Sequence, residues 1–185
     1  MDTAALRPDC DRCAALCCVA LAFDRGPMFA IDKANGEPCP NLGAGNGCRI
    51  YADRAKLGFP GCIAFDCLGA GQRVTQDLFG GRSWRDDPAL LAPMGRAFEA
   101  MRRLHETAQL LAEAAKLPLP PAERDSLTAL AGEIWPAGGW SVATFSAAAA
   151  DDIGVRAREF LRGLRVYLDK SGGDQPSTAA PVARS

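Results

Sequence analysis

The residues best suited to chemistry are eight cysteines that all fall in the first 67 positions of a 185-residue chain. They are Cys10, Cys13, Cys17, Cys18, Cys39, Cys48, Cys62 and Cys67. Thiolate sulfur is the ligand that structural zinc and iron–sulfur clusters share. Thiols that merely fill a hydrophobic core would be spread along the chain. The clustering therefore predicts a metal or iron–sulfur site to which all eight contribute.

The spacing of the first four cysteines says how such a site is built. Cys10 and Cys13 are separated by two residues, so both can bind one ion from a single turn. Cys13 and Cys17 share a face if the segment between them is helical. Cys17 and Cys18 are adjacent and point apart. The doublet is predicted either to be divided between two metals or to leave one thiol buried or reactive.

Two cofactors fit this pattern. A four-iron (4Fe–4S) cluster would use Cys10, Cys13, one member of the doublet Cys17/Cys18 and one distant cysteine. Two four-thiolate zinc sites would use all eight. A local triplet with a remote fourth ligand is more typical of cluster ligation than of paired zinc knuckles. We therefore expect an iron–sulfur cluster, with zinc as the alternative.

Charge and hydropathy limit the expected binding partners and cellular location of the protein. The formal net charge is −1, from 21 basic and 22 acidic residues, so nothing predicts binding to nucleic acid or to an anionic membrane. The N-terminal segment lacks the apolar core of a secretory signal, and no run of about 18 apolar residues predicts a transmembrane helix. We expect a cytoplasmic protein, in which thiols stay reduced and available to metals.

The elements that carry these cysteines change character along the chain. Residues 1–85 are turn-rich, with many glycines and prolines, and are predicted to form a small irregular metal-binding unit, here called the cysteine module. Short helices are expected at 11–20 and 50–57. Residues 86–170 are predicted to form a helical hairpin or three-helix region, and 171–185 a disordered tail. The predicted fold class is mainly α.

The helical region contains a long apolar seam. Its members recur at alternating spacings of four and three residues: Leu90, Met94, Ala97, Met101, Leu104, Ala108, Leu111 and Ala115. Prolines after residue 117 end this helix, a second is expected at 122–134, and Ser146 is expected to cap a last helix to about residue 170. The seam either packs within the chain or provides a surface for a partner protein or a homodimer.

Residues outside the cysteine set are weaker candidates. The single histidine, His105, is expected to be a surface or partly buried residue of the long helix rather than a ligand. The glycine-rich stretches 43–47 and 69–71 are predicted to be close-approach turns near sulfur. Arg12 and Arg49 flank cysteines and are candidates to offset thiolate charge. No catalytic residue is identified.

Four segments, in order, resemble the bacterial cysteine-cluster family, whose members carry a CxxCxxCC-type zinc- or iron-chelating domain. The segments are 10–18, Cys39-Pro40-Asn41-Leu42, Cys48-Arg49-Ile50-Tyr51 and Cys62-Ile63-Ala64-Phe65. The opening departs from the usual spacing, with three residues before the doublet instead of two. The stretches 32–42 and 66–72 are also similar to N-terminal regions of some actinobacterial pentapeptide-repeat proteins. The resemblance implies zinc or iron binding by residues 7–80.

Together these observations predict a metal-binding protein that holds an iron–sulfur cluster through clustered cysteine thiolates, in a redox or enzyme-supporting role. A structural zinc protein whose helices bind a partner is the first alternative. The second is an enzyme that uses the cluster or metal at an open coordination site, with a spare thiol such as Cys17 or Cys18 beside it.

Overall fold

A computed structural model describes the backbone of residues 4–171 and the side chains up to residue 168. The fold is mainly helical, as predicted, and the described residues contain no β-strand. The α-helices are α1 (Leu16–Ala20), α2 (Gly61–Ala64), α3 (Ala70–Arg73), α4 (Leu91–Ala114), α5 (Pro121–Ile134), α6 (Ala147–Gly163) and α7 (Arg165–Ser171). No helix among the described residues is long and apolar enough to cross a membrane.

Helix α4 is the central element, and its apolar seam is covered by the chain itself. A 3-10 turn at Pro88–Leu90 precedes the helix, and the Asp87 carboxylate accepts a hydrogen bond from the Ala89 amide. Met94, Met101 and Leu104 are each at most 1% exposed. The N-terminal half of α4 packs on α1 and α3, and α6 runs along its C-terminal half. One helix therefore links the cysteine module to the rest of the fold.

The two later helices begin close to where the sequence predicted them. Helix α5 starts at Pro121, where the missing proline N–H would have had no helical partner. The Ser146 hydroxyl accepts a hydrogen bond from the Ala149 amide at 3.1 Å, which confirms it as the N-cap of α6. The last helix does not continue unbroken to residue 170, because α6 ends at Gly163 and α7 follows as a separate segment.

The cysteine module is less helical than predicted. The helix expected at 11–20 is a 3-10 turn at Cys10–Arg12 followed by α1. Ala15 separates the two in a left-handed conformation (φ 56°), which an α-helix cannot contain. The helix expected at 50–57 is only the 3-10 turn Tyr51–Asp53. The boundary at residue 85 stays a prediction, and residues 172–185 of the predicted tail lie outside the described residues.

The segment from residue 21 to residue 58 has no hydrophobic core of its own. None of its hydrophobic side chains is fully buried, and its single fully buried residue is Lys33, which is 4% exposed. Short bridges such as Phe23 with Lys33 and Leu42 with Cys48 hold its backbone. A segment that buries so little apolar surface needs another source of stability, such as crosslinking through metal.

His105 is fully buried, so the expectation of a surface or partly buried histidine is wrong. Its Nδ1 lies 2.5 Å from the carbonyl oxygen of Leu68, and its ring packs on Trp135 with centroids 4.9 Å apart. The Leu68 oxygen can only accept, so Nδ1 carries the proton. Nε2 is buried without a hydrogen-bond partner among the described residues. His105 therefore fixes the loop after Cys67 to α4, and its Nδ1 is occupied by the hydrogen bond to Leu68.

The protein is expected to lose stability as the pH falls from about 6.5 to 4, partly because of His105. Burial lowers the pKa of His105 from 6.5 to about 4, against the Leu68 hydrogen bond that raises it. Between pH 6.5 and 4 the imidazole of His105 is protonated in the unfolded chain but neutral in the folded protein. Stability therefore rises with pH and is lost on acidification. A shift of this size corresponds to roughly 3 kcal/mol.

Chemical denaturation of wild type and His105→Gln between pH 4 and 7.5 measures this contribution. The glutamine amide can still donate to the Leu68 carbonyl but does not titrate. The difference in unfolding free energy between the two proteins should change by about 3 kcal/mol across the range. Parallel curves for the two proteins would contradict the assignment, and acid release of any metal affects both alike.

Candidate metal centre

All eight cysteines line one open cavity of about 1190 Å³ in the cysteine module. They come from α1, α2, the turns before and after them, and the loops at 39–48, and up to 57 positions separate the first from the last. All eight are free thiols; Cys10 is exposed and the other seven are half-buried. Every cysteine predicted as a ligand thus reaches the same cavity, although no three of the described His, Cys, Asp or Glu side chains already converge as one metal ion requires.

One wall of the cavity is built where the N-terminal turn meets α3. The Gln72 side chain accepts from the Asp9 amide and donates to the Arg7 carbonyl, at 3.0 Å and 2.7 Å. The Thr75 hydroxyl accepts from the Ala14 amide at 3.0 Å. The amide of Ala70 donates to the carbonyl of Cys67 at 2.9 Å. These bonds hold the turn that carries Cys10 and Cys13 against the helix that follows Cys67.

The same wall rests on the hydrophobic core. Cys13, Cys17 and Cys67 all pack against the cluster of buried side chains that includes Leu16, Met94 and Phe98. Burial raises the pKa of Cys13 to about 11, with smaller increases from Cys67 and Cys10, while backbone N–H groups of Leu16 and Ala15 lower it. Those N–H groups point at sulfur, where they would stabilise a metal-bound thiolate.

The opposite wall is built by the loops that return to α1. The amide of Cys39 donates to the carbonyl of Cys18 at 2.9 Å. Leu42 and Cys48 form an antiparallel bridge that brings the two ends of the 39–48 loop together. The Arg54 guanidinium donates to the carbonyl of Cys62 at 3.0 Å and stacks on Tyr51. The segments that carry four cysteines therefore border this side of the cavity: Cys18, Cys39, Cys48 and Cys62.

The doublet connects the two walls. Each thiol of the doublet shifts the other: the Cys18 side chain raises the pKa of Cys17, and the Cys17 side chain lowers the pKa of Cys18 to about 7. Burial opposes the second shift, and the positive charges of Lys33, Arg54 and Arg85 favour it. Deprotonation of Cys18 is thus favoured by the cations around it, whereas burial also raises the pKa of Cys17.

Cations that the sequence did not single out also lie near the thiols. Arg49 donates to the carbonyl of Pro40, and Arg12 is exposed at the edge of the cavity. Lys33 and Arg85 place positive charge beside Cys18, and Arg85 also donates to the Gly43 carbonyl at 2.7 Å and so fixes the glycine-rich turn. Lys33 and Arg85 lie outside the cysteine motifs, so the spacing of the cysteines does not identify them. No pattern in the sequence marks either residue as a neighbour of Cys18.

The glycine-rich stretch 69–71 makes the close approach to sulfur that the sequence predicted. A Cβ added at Gly71 would lie 2.6 Å from the Sγ of Cys13, closer than a carbon and a sulfur can stand. Gly69 has φ 78° and lies against the backbone of Ala5. Only glycine lets α3 begin this close to the thiols.

Gly71→Ala is therefore expected to destabilise the protein by about 1–3 kcal/mol, as overpacking does in a tight site. It should also weaken metal binding, because Cys13 must move. Gly132→Ala is the matched control: it lies in α5 with nothing within 4 Å of the added Cβ and should be neutral or slightly stabilising. Urea unfolding and metal content of both variants test this, and equal behaviour of the two would contradict it.

Comparison with known proteins gives one relative. Over 114 residues the chain is 41% identical to YybG of Bacillus subtilis (strain 168), which is described as an uncharacterized protein. The match covers 62% of this chain but 41% of the relative, so the chain spans about two fifths of the length of the protein it matches. No family model matches the sequence, and no solved structure matches it. The resemblance to the cysteine-cluster family stays a prediction.

Proposed function

We propose that this protein binds metal through its cysteine thiolates, as an iron–sulfur protein or, alternatively, as a zinc protein. The observation that carries the proposal is the single cavity lined by all eight cysteines. Packing explains only part of this arrangement: Cys13, Cys17 and Cys67 contact the hydrophobic core, whereas the other five free thiols line the open cavity without joining a described core cluster.

The surroundings of the thiols support the same proposal. Thiolate ligands leave a metal centre with excess negative charge, and Lys33, Arg54 and Arg85 supply positive charge beside Cys18. Backbone N–H groups point at the sulfurs of Cys13 and Cys39, as they do around metal-bound thiolates. The segment without a hydrophobic core would gain its stability from bound metal.

The biological use that fits best is a redox role or support of a partner enzyme, in the reducing cytosol where eight thiols stay unpaired. A partner protein or a second copy would contact the helical region. The spacing of a local triplet (Cys10, Cys13 and one member of the doublet) with a remote fourth ligand favours an iron–sulfur cluster over zinc. The zinc alternative is supported by the number of thiols, because two four-thiolate zinc sites would use all eight cysteines.

Anaerobic purification of the full chain, followed by iron, zinc and acid-labile sulfide analysis and a visible spectrum, tests the proposal. Iron and sulfide with broad visible absorbance would support the cluster, and colourless protein with about two zinc ions would support the alternative. A variant with serine at Cys10, Cys13, Cys17 and Cys18 is the control and should lose most of the metal. Reduced wild-type protein that binds neither iron nor zinc would rule out both.

A further inference from the structure

The cysteine doublet lies where two groups of thiols meet. Cys17 and Cys18 are consecutive residues of α1, so their side chains leave the helix about 100° apart. Cys17 turns to the hydrophobic core together with Cys13 and Cys67. The carbonyl of Cys18 accepts a hydrogen bond from the amide of Cys39 on the other side of the cavity. No single tetrahedral ion takes both without distorting the helix.

Resting on the metal-binding function proposed above, we infer that the doublet divides the eight thiols into two separate four-thiolate sites. The first, the exposed site, consists of Cys10, Cys13, Cys17 and Cys67. The second, the cationic site, consists of Cys18, Cys39, Cys48 and Cys62. Each site combines cysteines from both ends of the cysteine module, so neither can form before the module has folded.

Contacts between distant segments support this grouping independently on each side. The turn that carries Cys10 and Cys13 is tied by hydrogen bonds to Gln72 of α3 and to Thr75, which follows α3, on the C-terminal side of Cys67. On the other side, backbone pairing of residues 39–49 and the Arg54 bond to the Cys62 carbonyl hold the remaining loops beside Cys18.

The two sites differ in the charged residues around them, and the exposed site is named for Cys10 alone. Cys10 is exposed and stands between Asp9 and Asp11, whose negative charge opposes a thiolate centre. The cationic site lies beside Lys33, Arg54 and Arg85, whose positive charges stabilise a thiolate centre. The exposed site is therefore the one that releases its metal first. Four protein ligands also leave no open coordination position, which fits holding or passing on a metal better than catalysis at that metal.

Stepwise metal removal from the wild-type protein tests the grouping without any substitution. Reduced full-length protein is loaded with zinc as the probe, treated with increasing concentrations of a chelator, and alkylated with N-ethylmaleimide at each step. Mass spectrometry of peptides then reports which thiols have become reactive. The four thiols of the exposed site should react together, at a chelator concentration at least about tenfold lower than the other four, because several partly exposed charge interactions favour the cationic site.

Each result has a defined meaning. Two groups of four with the stated members and order would support the inference. Simultaneous release of all eight, or groups of other membership, would overturn it while metal binding still stands. Thiols that react fully before any chelator is added would show that zinc is not bound, which would overturn the inference and the zinc alternative, while the iron and sulfide analysis still decides the iron–sulfur function.

The doublet gives a second test. Cys17→Ser and Cys18→Ser change neighbouring residues of one helix by the same atom, so each controls for the other. Cobalt(II) titration of the two variants should show loss of one equivalent of thiolate-bound metal in each, and alkylation should show that different thiols have become unprotected. Loss of the same set of ligands in both variants would contradict the division.

Discussion

Removing metal from the reduced protein is expected to release the backbone of residues 21–58 while helix α4 stays folded. Between these positions no hydrophobic side chain is fully buried, whereas the seam of α4 from Met101 to Leu111 is fully buried and α1, α3 and α6 contact the helix. The bonds between loops are too few to hold this segment without crosslinks. A structural zinc ion contributes about 10 kcal/mol in small zinc peptides, so its loss should dominate here.

Hydrogen exchange compares the two parts of the chain directly. The amides of Lys33 and Arg49 pair with carbonyls within the segment, and the amides of Leu104 and Ala108 lie within α4. After chelation, protection at Lys33 and Arg49 should fall by at least about a hundredfold, and protection at Leu104 and Ala108 should change little. Equal protection of Lys33 and Arg49 with and without metal would contradict the expectation.

Lys33→Met is expected to destabilise the metal-bound protein by roughly 1–3 kcal/mol, the cost of leaving buried carbonyl groups without a donor. The Lys33 ammonium is buried and donates to the carbonyls of Val19, Ala34 and Glu37 at 3.0, 3.0 and 2.8 Å. Methionine has a similar length but donates nothing, so three carbonyls lose a partner. The substitution also removes a positive charge beside the thiols.

Lys56→Met is the matched control, because the Lys56 side chain is 84% exposed and contacts only Asp53. It should change stability by no more than about 0.5 kcal/mol. Guanidinium denaturation of both variants with metal bound gives the comparison. The Lys33 effect should shrink after chelation, since the loops that Lys33 fixes are then already loose. A Lys33→Met protein as stable as Lys56→Met would show that the network does not hold the module.

Local features of the sequence were sufficient for the helical region. The seam on α4 and the Ser146 cap both depend on residues three or four positions apart; the cap and the seam residues from Met94 to Leu111 are found where they were predicted. The predicted helices of the cysteine module failed for a related reason. Ala15 adopts a left-handed conformation that nothing in its own residue type requires, so distant contacts impose it.

The burial of His105 could not be predicted from the apolar repeat of α4. His105 lies one position after Leu104 and outside the seam, so the repeat predicts that its side chain is at least partly exposed. In the structure α4 is covered on a second face by the loop at Leu68 and by Trp135 after α5. A helix pattern read from one sequence reports the face with the strongest apolar repeat, and a second contact made through a polar side chain leaves no such repeat.

For the cysteines, the sequence alone determined that eight thiols cluster near the N-terminus and that two of them are adjacent, and their type and spacing predict a set of metal ligands divided at the doublet. Which thiols face each other was decided only by the tertiary structure. Cys67 meets Cys13 through bonds between residues more than 60 positions apart, and Lys33 and Arg85 reach Cys18 from separate segments. Such contacts depend on how the chain returns to α1, which local spacing does not encode.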